Sequence, residues 1–334
     1  MKWYPWLRPS FEQLVGSYQA GRGHHALLLQ SLNGMGGEAL IYALCRFLMC
    51  RQPEGHKSCG HCHSCQLMQA GTHPDYYALS PEKGKSALGI DAVRDVNEKL
   101  YEHARLGGAK VVWISDAALL TDAAANALLK TLEEPPENTW FFLGCEDTAR
   151  LLTTLRGRCS LHHLAPPSEP YALAWLEREV SLPQESLLTA LRLCASAPAA
   201  ALELLQEPLW TARQQLCQAL AATLARSDWQ ATLPILNHEQ AAVRLHWLAS
   251  LLVDAQKRQQ GITLVSNPDV WPLLEQLAHS LPAARLQAIA HDVCTCREQL
   301  LNVVGVNREL LLTERLLRWE HYLQPGTVLP VSHL

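Results

Sequence analysis

Cys50 is followed by Cys59-Gly60-His61-Cys62-His63-Ser64-Cys65, two overlapping C-x-x-C steps with a fourth cysteine upstream. Thiolates at this spacing chelate a single cation, and four sulfurs around one ion match tetrahedral zinc. Gly60 and the small or polar residues between the ligands allow tight turns in which backbone amides bond the thiolates. A thioredoxin-like redox pair also uses C-x-x-C, but it leaves two cysteines unused and needs a strand leading into the motif. An iron–sulfur cluster also takes four cysteines, yet nothing around the motif suits electron transfer. His56, His61 and His63 could substitute as ligands, but a fourth cysteine makes them the less favoured donors. Four cysteines close the shell, whereas catalytic zinc keeps an open position. The expectation is one structural zinc on Cys50, Cys59, Cys62 and Cys65.

A second constellation concerns phosphate. The strand-like Ala26–Gln30 runs into Ser31-Leu32-Asn33-Gly34-Met35-Gly36-Gly37-Glu38 and then an apolar helix over Ala39–Cys50. Strand, Gly-rich loop, helix is the order of a P-loop. Laid on G-x-x-x-x-G-K-[ST], Ser31 stands for the first glycine, Gly37 for the lysine and Glu38 for the Ser/Thr. The lost lysine would have reached the β- and γ-phosphates, and the lost hydroxyl would have held Mg²⁺. Glu38 adds a carboxylate where phosphate should sit, and like charges in a partly dry pocket are costly. Val111–Ala117 reads as a Walker B-like strand ending in Asp116, with Ala117 where an active ATPase carries a water-orienting glutamate. The expectation is no productive ATP binding and no turnover by this chain alone.

These residues need elements to hold them. Short β-rich runs at Ala26–Gln30, Tyr76–Ser80, Lys110–Ser115, Trp140–Cys145 and Leu161–Leu164 alternate with helical patterns, predicting a parallel sheet covered by helices. Thr121-Asp122 caps a helix that runs to Glu134 and stops at Pro135-Pro136. After Ala165-Pro166-Pro167 only helical periodicity remains. The expected division is an α/β domain over 1–166 with the zinc module at about 50–65, a small helical lid over 167–207, and a helical bundle over 208–334. A length of 334 residues fits several domains. The formal charge of -4 argues against holding nucleic acid by electrostatics alone. The segment Met1–Pro9 has no apolar h-region, and no apolar run reaches bilayer length. The expected compartment is the cytoplasm, with no membrane partner, so the cysteines are expected as thiols or ligands. The seven outside the cluster (Cys45, Cys145, Cys159, Cys194, Cys217, Cys294, Cys296) read as small buried hydrophobes. The ten tryptophans are dispersed rather than interleaved with basic residues, so they read as core or interface anchors.

Asn126-Ala127-Leu128-Leu129-Lys130-Thr131-Leu132-Glu133-Glu134-Pro135-Pro136 resembles the helix signature of bacterial DNA polymerase III clamp-loader subunits of the AAA+ class. Trp6-Leu7, His24–Leu28, the cysteine cluster, His73-Pro74-Asp75, Asp91–Arg94 and Asn307–Leu312 match as well, so the likeness spans the chain. It implies a RecA-like AAA+ domain, a helical lid, and a helical collar through which five subunits assemble. It implies a role in opening the sliding clamp and closing it on primer–template DNA, with ATP bound by sister subunits. Arg158, in Thr154-Leu155-Arg156-Gly157-Arg158-Cys159, matches the Ser-Arg-Cys motif that supplies a trans arginine finger, with Gly157 in place of the serine. A guanidinium places two N–H groups on γ-phosphate oxygens. Ser196–Ala199 lies where active relatives carry a sensor arginine. The resemblance therefore implies a non-catalytic stator in a heteropentamer. Two other readings compete: an independent P-loop NTPase, which nucleotide turnover by the pure chain would favour, and a zinc-ribbon nucleic-acid-binding module, which tight salt-sensitive DNA binding would favour.

Overall fold

Lys110-Val111-Val112-Trp113-Ile114 is buried along its whole length, and a strand covered on both faces lies inside a sheet flanked by helices. The computed structural model, which describes residues 1–330, has that arrangement. β1 (Ala26–Ser31), β2 (Tyr76–Leu79), β3 (Lys110–Ile114), β4 (Thr139–Cys145) and β5 (Ser160–Leu164) form one parallel sheet in the order β2-β3-β4-β1-β5. In register, Leu28 lies beside Leu143 on one side and Leu161 on the other. Each strand falls within a residue or two of the expected run. The helices between them are α1 (Arg8–Gln19), α2 (Gly37–Met49), α3 (His63–Ala70), α4 (Ile90–Tyr101), α5 (Asp122–Glu133) and the single turn α6 (Thr153–Arg156).

The core on one face of the sheet joins Leu28, Val112, Phe141 and Leu143 to Val93, Val96 and Leu100 of α4 and to Leu128 and Leu132 of α5. The i, i+3, i+7 spacing in α4 gives one apolar stripe. α5 begins where the Thr121 hydroxyl accepts the Ala124 amide at 3.1 Å, an N-cap worth about 1 kcal/mol. It stops at Glu133 because Pro135 drives Glu134 out of the helical region, to φ -126° and ψ 73°. Glu133 therefore stands at a helix end.

The chain divides into two compact units, Met1–Pro166 and Pro167–Leu334. The second is helical over its described residues: α7 (Glu169–Glu179), α8 (Gln184–Leu193), α9 (Pro198–Leu204), α10 (Leu209–Arg226), α11 (Leu233–Leu236), α12 (Ala241–Gln259), α13 (Trp271–Ser280), α14 (Ala283–Asn302) and α15 (Arg308–Tyr322). Within it, the fully buried Arg213 of α10 donates to Asp269 at 2.6 Å and to Asn267 at 2.8 Å. Asp269 also accepts the Thr189 hydroxyl of α8 at 2.8 Å. Arg192 of α8 binds Glu169 of α7 at 2.8 and 3.0 Å and the Val265 carbonyl at 2.6 Å. The short helices α7 and α8 and the longer ones after them thus share one polar network. In α15, Trp319 donates to Asp292 of α14 at 2.6 Å. Seven of the ten tryptophans are buried, as core anchors require. Among the described residues no single helix is long and apolar enough to cross a membrane.

Candidate functional site

Cys50 ends α2 as its C-cap, Cys59 lies in the following loop, and Cys62 and Cys65 bracket the first turn of α3. Gly60 adopts φ 77°, the left-handed conformation a tight turn needs and glycine takes without strain. The four sulfurs lie within 4.8 Å of one another. Cys50 and Cys59 are 3.5 Å apart, and Cys59 and Cys65 are 3.9 Å apart. A tetrahedron with zinc–sulfur bonds of about 2.3 Å has edges of about 3.8 Å. The Cys59 amide points at the Cys50 sulfur at 3.2 Å, and the Cys62 amide at the Cys59 sulfur at 3.3 Å. The set fits zinc.

Its electrostatics point the same way. Burial pushes the Cys65 thiol up to about 12, and the neighbouring Cys62 and Cys50 sulfurs add to the rise. Burial also raises Cys50. For Cys62, burial is outweighed by bonds from the Arg51 and Cys65 amides and from the Cys65 and Cys59 side chains, and the thiol falls to about 6. Four sulfurs this close cannot all ionise unless a cation offsets their repulsion.

Beside the cluster, buried Ser64 donates to the Met49 carbonyl at 2.6 Å and lies 2.9 Å from His73 Nε2. His73 Nδ1 accepts the Asp75 amide at 3.1 Å, so Nε2 carries the proton and cannot serve as a base toward Ser64. The Asp75 carboxylate accepts the Arg105 and Leu106 amides at 2.8 and 3.0 Å. This chain of bonds is an anchor that ties the cysteine module to the start of β2. Nothing in the letters His73-Pro74-Asp75 announces that role.

The glycine loop stands between β1 and α2, as expected. Gly36 is left-handed at φ 82°, and a side chain there would meet the Tyr4 ring at 2.7 Å. Tyr4 stacks on Trp6 at 4.6 Å, and the Trp6 indole donates to the Met35 carbonyl at 2.8 Å. The segment before α1 therefore packs directly on the loop, a contact no local motif signalled. A Cβ on Gly37, where a P-loop carries lysine, would lie 2.8 Å from Ser31 Oγ. The serine at the first glycine position and the glycine at the lysine position are thus sterically coupled. Glu38 lies in the first turn of α2. Asp116 accepts the Ala118 amide at 2.9 Å, capping a short turn, and Ala117 is buried in the core.

Arg158 follows α6 and leads into β5, one of the two edge strands of the sheet. Its Nε donates to Glu133 Oε1 at 2.6 Å, its Nη2 donates to the same oxygen, and its Nη1 donates to the Thr154 carbonyl at 2.8 Å. Gly157 sits in ordinary helical conformation, φ -65°, so the backbone does not demand glycine there. The four cysteines expected to bind zinc come together as one site, and Arg158 belongs to a separate edge of the same unit. Of the seven other cysteines, Cys294 departs from expectation: it is exposed, while Cys159 and Cys194 are half-buried.

A five-stranded parallel sheet with a strand–glycine loop–helix unit, followed by a helical second unit, defines an AAA+-class module. Three family profiles match in succession. The one described as the DNA polymerase III delta subunit matches residues 7–168. The AAA+ ATPase lid domain of DNA polymerase III subunit delta' matches residues 167–206, and the C-terminal profile for the delta subunit matches residues 207–321. DNA polymerase III subunit delta' of Escherichia coli (strain K12) is 68% identical over 334 residues, covering 100% of both chains. The proteins of that name from Yersinia pestis and Haemophilus influenzae are 56% and 39% identical, covering 98% and 94% of this chain and 98% and 96% of theirs. This chain belongs to the delta-prime family of bacterial DNA polymerase III clamp-loader subunits.

Proposed function

We propose that this chain is a cytoplasmic, ATPase-dead stator that assembles with sister AAA+ subunits in a heteropentamer and presents Arg158 to a neighbour's ATP. Through that assembly it acts on the sliding clamp and on primer–template DNA. Residues 1–166 form the AAA+ domain, 167–207 the lid and 208–334 the oligomerising collar. One structural zinc sits on Cys50, Cys59, Cys62 and Cys65. The observation that carries the reading is an inversion: the chain's own loop lacks the lysine and the hydroxyl, and Ala117 stands in place of the water-orienting glutamate, while a permanently charged guanidinium stands half-exposed at the sheet edge. No element of the loop argues for independent turnover, and the charge of -4 does not favour a free-standing DNA binder.

The test is reconstitution with the sister subunits, measuring clamp- and DNA-stimulated ATP hydrolysis with and without Arg158→Ala. The isolated chain is expected to hydrolyse nothing, and the variant to assemble normally while lowering the rate of the loader. Turnover by the pure chain, or an unchanged rate with the variant, would overturn the proposal.

A further inference from the structure

Arg158 is not loose. A guanidinium carries five N–H donors. Nε and Nη2 each give one to Glu133 Oε1, and Nη1 gives one to the Thr154 carbonyl. Two donors remain, one on each terminal nitrogen, the number a two-point grip on phosphate oxygens needs. Glu133 comes from a different element, the terminal residue of α5, which is fixed against the sheet by Leu128 and Leu132. Thr154 comes from α6. The guanidinium is therefore held from two rigid sides although its own loop carries Gly157 in place of a serine.

We propose that Glu133 is a positioning residue for the trans arginine finger: it splints the inner edge of the Arg158 guanidinium and leaves the outer pair of N–H groups for the neighbour's γ-phosphate. The inference rests on the reading of Arg158 as that finger. Misplacing a reacting partner by about 1 Å costs up to about 100-fold in rate, so a splint matters even where the pair itself adds little stability. The side chains are 33% and 50% exposed, and solvated pairs of this kind stabilise a fold weakly. Loss of Glu133 is thus expected to act on the chemical step rather than on folding.

Both donors use a single oxygen of Glu133, and this feature supplies the discriminating variant. In Glu133→Gln the amide oxygen can still accept both bonds, whereas Glu133→Ala accepts none. The experiment uses the complete loader, built so that only the ATP site facing this chain is competent, and measures kcat and KM for ATP at saturating clamp and primed DNA. Glu133→Ala is expected to lower kcat about tenfold with KM unchanged, and Glu133→Gln to recover most of the loss. Arg158→Ala is expected to lower kcat much further, and Arg158→Ala/Glu133→Ala to be no slower than Arg158→Ala alone. If Arg158→Ala leaves kcat unchanged, the finger reading itself fails. If Arg158→Ala is slow but Glu133→Ala matches wild type or runs faster, the finger stands and the positioning role is overturned. A loss in Glu133→Ala that adds fully to that of Arg158→Ala also overturns it, since the carboxylate would then act independently of the guanidinium.

Discussion

Cys62 and Cys65 are shifted in opposite directions although they sit in one cluster, the first downward and the second upward. Burial and then the neighbouring Cys62 and Cys50 sulfurs raise Cys65, bonds from the Arg51 and Cys65 amides lower Cys62, and a bound dication would draw the protons off all four sulfurs. Carefully prepared protein is expected to carry about one equivalent of zinc by elemental analysis, and Cys62→Ala to carry almost none; metal-free wild type that keeps its fold and its thermal midpoint would contradict this. At the degenerate loop, Gly37→Lys should not restore a phosphate site by itself, because its Cβ lands 2.8 Å from Ser31 Oγ. The overpacking should cost roughly 1–3 kcal/mol in urea unfolding, and Ser31→Gly/Gly37→Lys should recover most of it. Equal stabilities for the single and double variants would show that the two positions are not coupled. The departures from a working P-loop were readable as letters. Their steric coupling was not, because it depends on where a serine at the end of a strand points.

At the scale of elements, strands and the α5 helix were legible because burial on both faces leaves apolar runs and because Thr121 and Pro135 mark the helix ends. The polar network of the second unit was not legible. Thr189, Arg192, Arg213, Asn267 and Asp269 share no period, and each alone looks like an ordinary surface residue. Its centre is the buried Arg213–Asp269 pair, and Arg213→Ala leaves Asp269 without its cation. A loss of about 3–5 kcal/mol is expected, read by denaturant unfolding; a loss below about 1 kcal/mol would mean the network is solvated. Glu169 offers a pH probe. Bonding to Arg192 holds its carboxyl below the usual 4.5, so the unfolded chain binds its proton first as pH falls. Its contribution is complete above about 4.5 and fades as pH drops through the lower folded value. Glu169→Gln should flatten that part of the acid-unfolding profile. An unchanged profile would remove the pair from the account.

For the whole molecule, the fold sets three features apart: a glycine loop braced by Trp6 and Tyr4, a cysteine cluster tied to the sheet through Ser64 and His73, and a guanidinium at the sheet edge. What sequence could not offer was the company Arg158 keeps, since Glu133 is distant along the chain and meets it only through the packing of α5. A trans finger supplies about three to five decades of rate, or roughly 4–7 kcal/mol of barrier, and that magnitude separates a finger from an ordinary interface arginine. The most direct measurement is single-turnover ATP hydrolysis in a loader whose only competent site faces this chain, comparing wild type with Arg158→Ala while assembly is monitored. The account predicts an intact complex whose hydrolysis slows by about a thousandfold or more. A variant complex that forms and hydrolyses at the wild-type rate would contradict it.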